Sequence, residues 1–425
     1  MNLKYGKSNI SFDDNANQFE ILGNKQENPA LSDAEIGARF DNPIDSKPLE
    51  ELINQGESVL IVVPDATRQT ACASVVNLLV RRLIANGIAP FEINIIFATG
   101  IHRKVTTAEK KEILTPFIVQ RIKTLDHKAK DLMQIAGLDS KQFINFGETT
   151  NGIPIELNRV LNEYDHTIIV GGISFHYFAG FTGGRKLICP GLASAQTISA
   201  THKLAFDCET KSRREGVGTG ILKGNAVHEA FVEVVKKINP TFSINTIVNE
   251  RGAATDVFCG NWISSHETAC KFYADENTIE IAEKRDLVIV SCGGAPFDLN
   301  MIQAHKALET ASLTCTDGGT IIFLAECSDG LGRRDFLNWF EAETSEKLAE
   351  NLCKSYQVNG QTAWSLLQKA EKFDIKIITS LPETETRKMR LQKVESLSET
   401  LSKIDATKKG YIIPFGAKNL ITINT

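Results

Sequence analysis

Short runs rich in β-branched residues alternate with segments of helical period along this chain, and that alternation constrains its fold more than any other feature. Residues 58–63 (SVLIVV), 92–97 (EINIIF), 167–170 (TIIV), 243–248, 287–291, 320–324 and 376–379 read as strands. Residues 75–83 (VVNLLVRRL) repeat apolar positions at helical spacing, and 106–114 follow as a charged helix. Strands apolar along their whole length are buried on both faces, which a parallel sheet covered by crossover helices provides. The expected class is α/β, with two α/β domains, mainly parallel sheets and an active-site cleft between them.

The chain has 425 residues, enough for more than one core. Hydrophobic residues make up 42% and charged residues 23%, which excludes disordered, collagen-like and coiled-coil chains. A net charge of −5 argues against a broad nucleic-acid surface. No apolar run approaches a bilayer-spanning length, and the first residues lack a signal-peptide stretch, so a cytoplasmic protein with no membrane partner is expected. The nine cysteines stand singly, without a CxxC, and are expected to be reduced packing residues.

The charged stretch 274–285 separates two strand-rich halves. Domains are therefore expected at 1–270 and 285–385, with connecting helices at 271–284 and 386–405. The tail, 406–425, is expected to return to the N-terminal domain.

Ligands of open α/β sheets bind beyond the carboxyl ends of strands, so polar residues just after a strand are informative. Four such clusters occur: Asp65-Ala66-Thr67-Arg68, Thr99-Gly100-Ile101-His102-Arg103, the stretch 171–202, and 293–306. In the third, Gly183-Gly184 lets backbone approach a ligand, and Arg185 and Lys186 add positive charge, as an anion site requires. It is neither a Walker loop nor a GxGxxG fingerprint. His102, His176 and His202 all fall in these clusters. His127 and His266 read as surface residues, His166 as the start of a strand, and His228 as the residue holding a helix start.

Asp65-x-Thr67-Arg68, Gly100-x-His102-Arg103, His176 with Gly183-Gly184-Arg185-Lys186, Pro190-Gly191, His202, Gly224-Asn225 with His228, and Asp298-x-Asn300-x-x-Gln303-x-x-Lys306 occur in that order. In this order the chain resembles the lactate racemases that carry a nickel-pincer nucleotide. The resemblance implies an isomerase inverting the hydroxyl-bearing carbon of a 2-hydroxy acid by reversible hydride transfer. It makes Lys186 the covalent attachment point of the nickel-pincer nucleotide, with Gly183, Gly184 and Arg185 around it. His202 becomes the single protein ligand to nickel. His102 and His176 become the acid/base pair, Arg68, Gln303 and Lys306 the substrate-holding groups, and Asp65 the residue orienting a catalytic neighbour. Cofactor-building and nickel-insertion enzymes would be its partners.

The chemistry independently favours such a set. A C–H bond beside a carboxylate is more easily moved as hydride when a base takes the hydroxyl proton. Both hands of substrate then need opposed bases, which neutral imidazoles supply. Ile302, His305 and Gln69 depart from the family pattern and favour a 2-hydroxy acid other than lactate, larger or more polar. The competing readings are a lyase or redox enzyme on the same scaffold, and a non-catalytic nickel- or nucleotide-binding protein.

Overall fold

The computed structural model describes residues 1–12, 18–23, 28–130, 142–405 and 407–424. The chain divides into two compact units, one of Gln26–Ala205 and Glu215–Tyr273, the other of Met1–Lys25, Phe206–Arg214 and Ala274–Thr425.

The first unit is built on a six-stranded sheet in the order Ala254–Gly260, Phe242–Val248, His166–Gly172, Val59–Pro64, Ile93–Ala98, Lys123–Asp126. Only Ala254–Gly260 runs antiparallel to its neighbour. Val59–Pro64 lies centrally and is buried at every position, as its unbroken apolar run predicts. The helix Cys72–Ala85 lays Val75, Val76, Leu79, Val80 and Leu83 onto the core. From Val59–Pro64 the chain goes first to Ile93–Ala98 on one side and later to His166–Gly172 on the other. That reversal makes a topological switch point at the carboxyl ends of these strands, where open α/β sheets bind ligands.

The second unit has a six-stranded, wholly parallel sheet in the order Gln392–Lys393, Asp374–Ile378, Cys315–Leu324, Arg285–Ser291, Gly410–Ile413, Phe19–Ile21. The tail therefore joins the C-terminal unit and not, as expected, the N-terminal one. Gly410–Ile413 is fully buried and lies beside Arg285–Ser291, with Leu287 opposite Gly410 and Val290 opposite Ile413. Phe19–Ile21 then covers its other edge, bringing the start of the chain into the same unit.

Neither connecting helix is continuous. The first is a helix only to Asn277, after which Thr278–Ile281 pairs with Leu420–Ile423. The second breaks into Glu383–Lys388, a strand at Gln392–Lys393 and a helix at Leu397–Ser402. Arg390 adopts φ +59°, and the N–H groups of Arg390 and Leu391 donate to the carbonyls of Arg387 and Thr386. This is a Schellman stop closed by a buried Leu391, and the following helix is capped by Ser396 at the Glu399 N–H.

Phe206–Arg214 is the one stretch of the middle of the chain that belongs to this unit. Cys208 is disulfide-bonded to Cys353, contrary to the expectation of nine reduced thiols; the other seven cysteines are free and buried. Arg213 meets the half-buried Glu309 carboxylate at 2.9 Å, and the buried Lys369 Nζ and Ser365 Oγ each donate to it at 2.7 Å. Burial alone would push the Glu309 carboxyl up, but these neighbours hold it well below the usual carboxylate range. Removing one partner strands buried charge, so Glu309→Ala should lower stability by roughly 3–5 kcal/mol, read as the urea unfolding transition of the full chain.

Candidate active site

Three strands of the first unit end in the residues that the sequence singles out. After Val59–Pro64 the backbone turns at Asp65. Its Oδ1 accepts from the Thr67 N–H at 3.0 Å and from the Thr67 hydroxyl at 2.6 Å. Oδ2 lies 2.7 Å from His102 Nδ1, on the turn after Ile93–Ala98. One carboxylate thus closes a turn and grips an imidazole. Burial would push the Asp65 carboxyl up, but His102, Thr67 and the nearby Arg68 outweigh it and hold the group ionised well below its ordinary range. An ionised Asp65 accepts, so a neutral His102 ring carries its proton on Nδ1 and presents a bare Nε2. The His102 side chain is exposed while Asp65 is buried.

The second turn is fastened to the third cluster. The Gly100 N–H donates to the Gly191 carbonyl at 2.9 Å. A Cβ on Gly191 would lie 2.3 Å from the Leu187 carbonyl oxygen and 2.8 Å from the Ala98 Cβ, so only glycine fits there. His127 is buried rather than at the surface, the reverse of the expectation. Its Nε2–H donates to the Ala193 carbonyl and its Nδ1 accepts from Asn158, while burial pushes its pKa down to about 4. Its two ring nitrogens are engaged by these partners.

In the third cluster, Lys186 and His202 come together against the same two rings. Lys186 Nζ is 5.8 Å from the Phe178 centroid and 5.9 Å from that of Phe231. The His202 ring lies 5.1 Å from Phe178 and 5.5 Å from Phe231. His202 Nδ1–H donates to the Ile198 carbonyl one turn back at 2.7 Å, which leaves Nε2 as the ring nitrogen that could meet a metal. Burial, reinforced by Lys186, pushes its pKa down to about 3, so the ring is neutral, the state in which an imidazole can bind a metal. No group of three or more His, Cys, Asp or Glu that could hold a metal occurs among the described residues. A metal on His202 would need its other donors from a bound group.

The sequence reading did not single out Phe178 and Phe231, because aromatic residues at such spacings resemble core. Both are positioned by the helix Ala226–Val235: it carries Phe231, and its cap residue Asn225 donates to the Phe178 carbonyl at 2.9 Å. The helix start is held not by His228, as expected, but by Asn225, which accepts from the Val227 and His228 N–H groups.

His176 stands in a short strand, its ring centroid 4.4 Å from that of Phe178. Its Nδ1 accepts from the Ala179 N–H at 3.2 Å, which places the proton of the neutral ring on Nε2. Gly183 and Gly184 have φ of +71° and +47°. The space beside them is filled by the protein itself: a Cβ on Gly183 would lie 2.7 Å from Ile173 Cδ1, and one on Gly184 2.5 Å from His266 Cδ2. Arg185 is fully buried and turned onto its own loop, so its charge is not presented outward as the sequence suggested. His266, expected at the surface, is buried beside it.

Gln303 and Lys306 belong to the other unit, near the start of the helix Met301–Thr314. Lys306 Nζ donates to Gln303 Oε1 at 2.5 Å, one helical turn apart, and Asn300 caps the helix at the Gln303 N–H. Asp298 accepts from the Gly6 and Glu326 N–H groups, a structural role. His305 is buried, with Nδ1–H donating to the Ile302 carbonyl, so its departure from the family pattern acts in the packing of this helix.

Comparisons with known proteins converge. Residues 5–214 match the lactate racemase N-terminal domain family and residues 281–414 the lactate racemase C-terminal domain family. A lactate racemase of Thermoanaerobacterium thermosaccharolyticum is 30% identical over 343 residues, 80% of this chain and 77% of that protein. One of Lactiplantibacillus plantarum is 33% identical over 308 residues, 72% and 69% of the two chains. The solved lactate racemase apoprotein from Thermoanaerobacterium thermosaccharolyticum superposes with a TM-score of 0.86 at 27% identity, covering 99% of each chain. A Thermotoga maritima protein shares the fold with a TM-score of 0.70 at 20% identity, over 94% of this chain and all of that one. Among the described residues no helix is long and apolar enough to cross a membrane.

Proposed function

The chain belongs to the lactate racemase family and is a racemase, and on that premise we propose that it inverts a 2-hydroxy acid with a nickel-pincer nucleotide attached through Lys186. The observation that carries this reading is the pairing of Lys186 and His202 against Phe178 and Phe231. A lone neutral imidazole, oriented by a backbone carbonyl, suits a metal whose remaining donors arrive with the attached group. When bound, that group supplies a hydride acceptor.

The remaining work falls to this chain's own side chains. His102 Nε2, freed by the Asp65 hydrogen bond, takes the hydroxyl proton of one hand of substrate, and His176 serves the other hand. Arg68, half-buried beside Asp65, offers a planar fork to the carboxylate. The parts of Gln303 and Lys306 in holding substrate follow from the family resemblance. The substrate reading, a 2-hydroxy acid other than lactate, stands on Ile302 and Gln69, since His305 is buried.

The test is chiral chromatography of a panel of 2-hydroxy acids after incubation with protein matured by the cofactor-building enzymes. Loss of optical purity for at least one acid is expected; none across the panel, with Lys186 fully modified, would sink the reading. His202→Ala should lower nickel content at least tenfold by elemental analysis while the far-ultraviolet circular dichroism stays unchanged. Nickel retained at wild-type stoichiometry would refute the ligand assignment.

A further inference from the structure

We infer that Arg185 and His266 are positioning residues, a buried bracket that fixes the loop from His176 to Lys186, an inference that rests on the function proposed above. Arg185 is 1% exposed. Its Nη2 donates to the Ala179 carbonyl at 2.7 Å and its Nη1 lies 2.8 Å from His266 Nε2, with longer contacts to the Thr182 and Gly183 carbonyls. It has no carboxylate partner among the described residues. A guanidinium buried without counter-charge is costly unless other acceptors solvate it. Here those acceptors are the carbonyls of its own loop, which must converge on Arg185 to hold it.

Ala179 transmits this to the chemistry. Its carbonyl accepts from Arg185, and its N–H donates to His176 Nδ1 at 3.2 Å. Moving Ala179 therefore moves the group that sets the His176 tautomer. His266 completes the bracket from outside the loop. His266 Nε2 lies 2.8 Å from Arg185 Nη1 and 3.0 Å from the Thr182 carbonyl oxygen, so one ring nitrogen ties the guanidinium to the loop. Burial and Arg185 push the His266 pKa well down against the opposing Thr182 carbonyl, so the ring is neutral. The ring lies over Gly184, where any Cβ would collide with it. In Gly-Gly-Arg-Lys, then, the second glycine makes room for His266 and the arginine shapes the loop, while Lys186 alone reaches the aromatic pair.

The competing role for Arg185 is as a ligand to the cofactor phosphate, and two measurements on Arg185→Gln separate them. In the unloaded protein, imidazole ¹⁵N shifts should show wild-type His176 as the Nε2–H tautomer and the variant as a mixture. In matured protein, intact mass should show Lys186 modified to within twofold of wild type, with kcat lowered ten- to a hundredfold and KM changed less than threefold. Loss of the attached group would assign Arg185 to the phosphate and overturn the bracket. An unchanged His176 tautomer or an unchanged kcat would overturn it as well. If Arg185→Gln does not fold, His266→Phe keeps a ring over Gly184 but removes its polar contacts to Arg185 and Thr182, and the same outcomes are read from it. If the wild type racemises no 2-hydroxy acid, the function proposed above fails, while the tautomer measurement still decides the bracket.

Discussion

Lys186→Ala is expected to abolish racemisation, by more than a thousandfold, with little change in unfolding midpoint. The Lys186 side chain is half-buried, its ammonium near two aromatic rings, contacts worth about 1 kcal/mol. The loss of activity would therefore far exceed the loss of stability, as expected of a residue whose nitrogen is a covalent anchor. Lys186→Arg is the sharper variant. It keeps the positive charge near the rings and beside His202, but a guanidinium does not replace the amine that the attachment needs. If Lys186 acts by charge alone, Lys186→Arg retains substantial activity; if it is the anchor, the variant is as inactive as alanine. Peptide mapping of matured wild-type protein should find the added mass on the peptide containing Lys186. Full activity from unmodified protein would end the assignment.

Much of the architecture could be read from period and composition because strands buried on both faces leave a continuous apolar run. Residues 58–63, 92–97 and 287–291 each fall within one residue of the ends of Val59–Pro64, Ile93–Ala98 or within Arg285–Ser291. The partner of the tail strand could not be read, since Gly410–Ile413 fits any parallel edge and its register depends on which edge is open. The break at Arg390 was hidden because a left-handed residue there is an arginine and not a glycine. Likewise the disulfide joins cysteines 145 residues apart with no spacing signal. At the site, polar residues following strands stood out: Asp65 and His102 meet directly although 37 residues separate them. The buried histidines did not, because His127 and His266 sit among polar neighbours in sequence and owe their burial to carbonyl, amide and guanidinium partners from distant segments. Phe178 and Phe231 carry no mark that separates a site wall from core.

His102→Ala and His176→Ala should each stop net racemisation in both directions, a loss of about 10²–10⁴-fold for removal of one general acid or base. In the proposed scheme the two hands of a substrate offer their hydroxyl protons from different sides, and each histidine would be the base for one hand and the acid for the other. For neutral rings, the hydrogen bonds set complementary tautomers. His102 donates from Nδ1 to Asp65 and presents a bare Nε2; His176 accepts at Nδ1 from Ala179 and carries its proton on Nε2. Asp65→Asn separates orientation from charge. It keeps a hydrogen-bonding group of the same size but offers an amide that can donate, which lets His102 adopt the opposite tautomer and lose its free Nε2 lone pair. Activity should then fall nearly as far as in His102→Ala. Thr67 still holds the turn through its neighbours, so the Asn variant should unfold within about 1–2 kcal/mol of wild type. The measurement is the racemisation rate from each pure enantiomer, followed by chiral chromatography at several pH values. If His102→Ala and His176→Ala both racemise at the wild-type rate, the two-base scheme does not operate in this protein. Were Asp65→Asn fully active, the carboxylate would serve the turn alone.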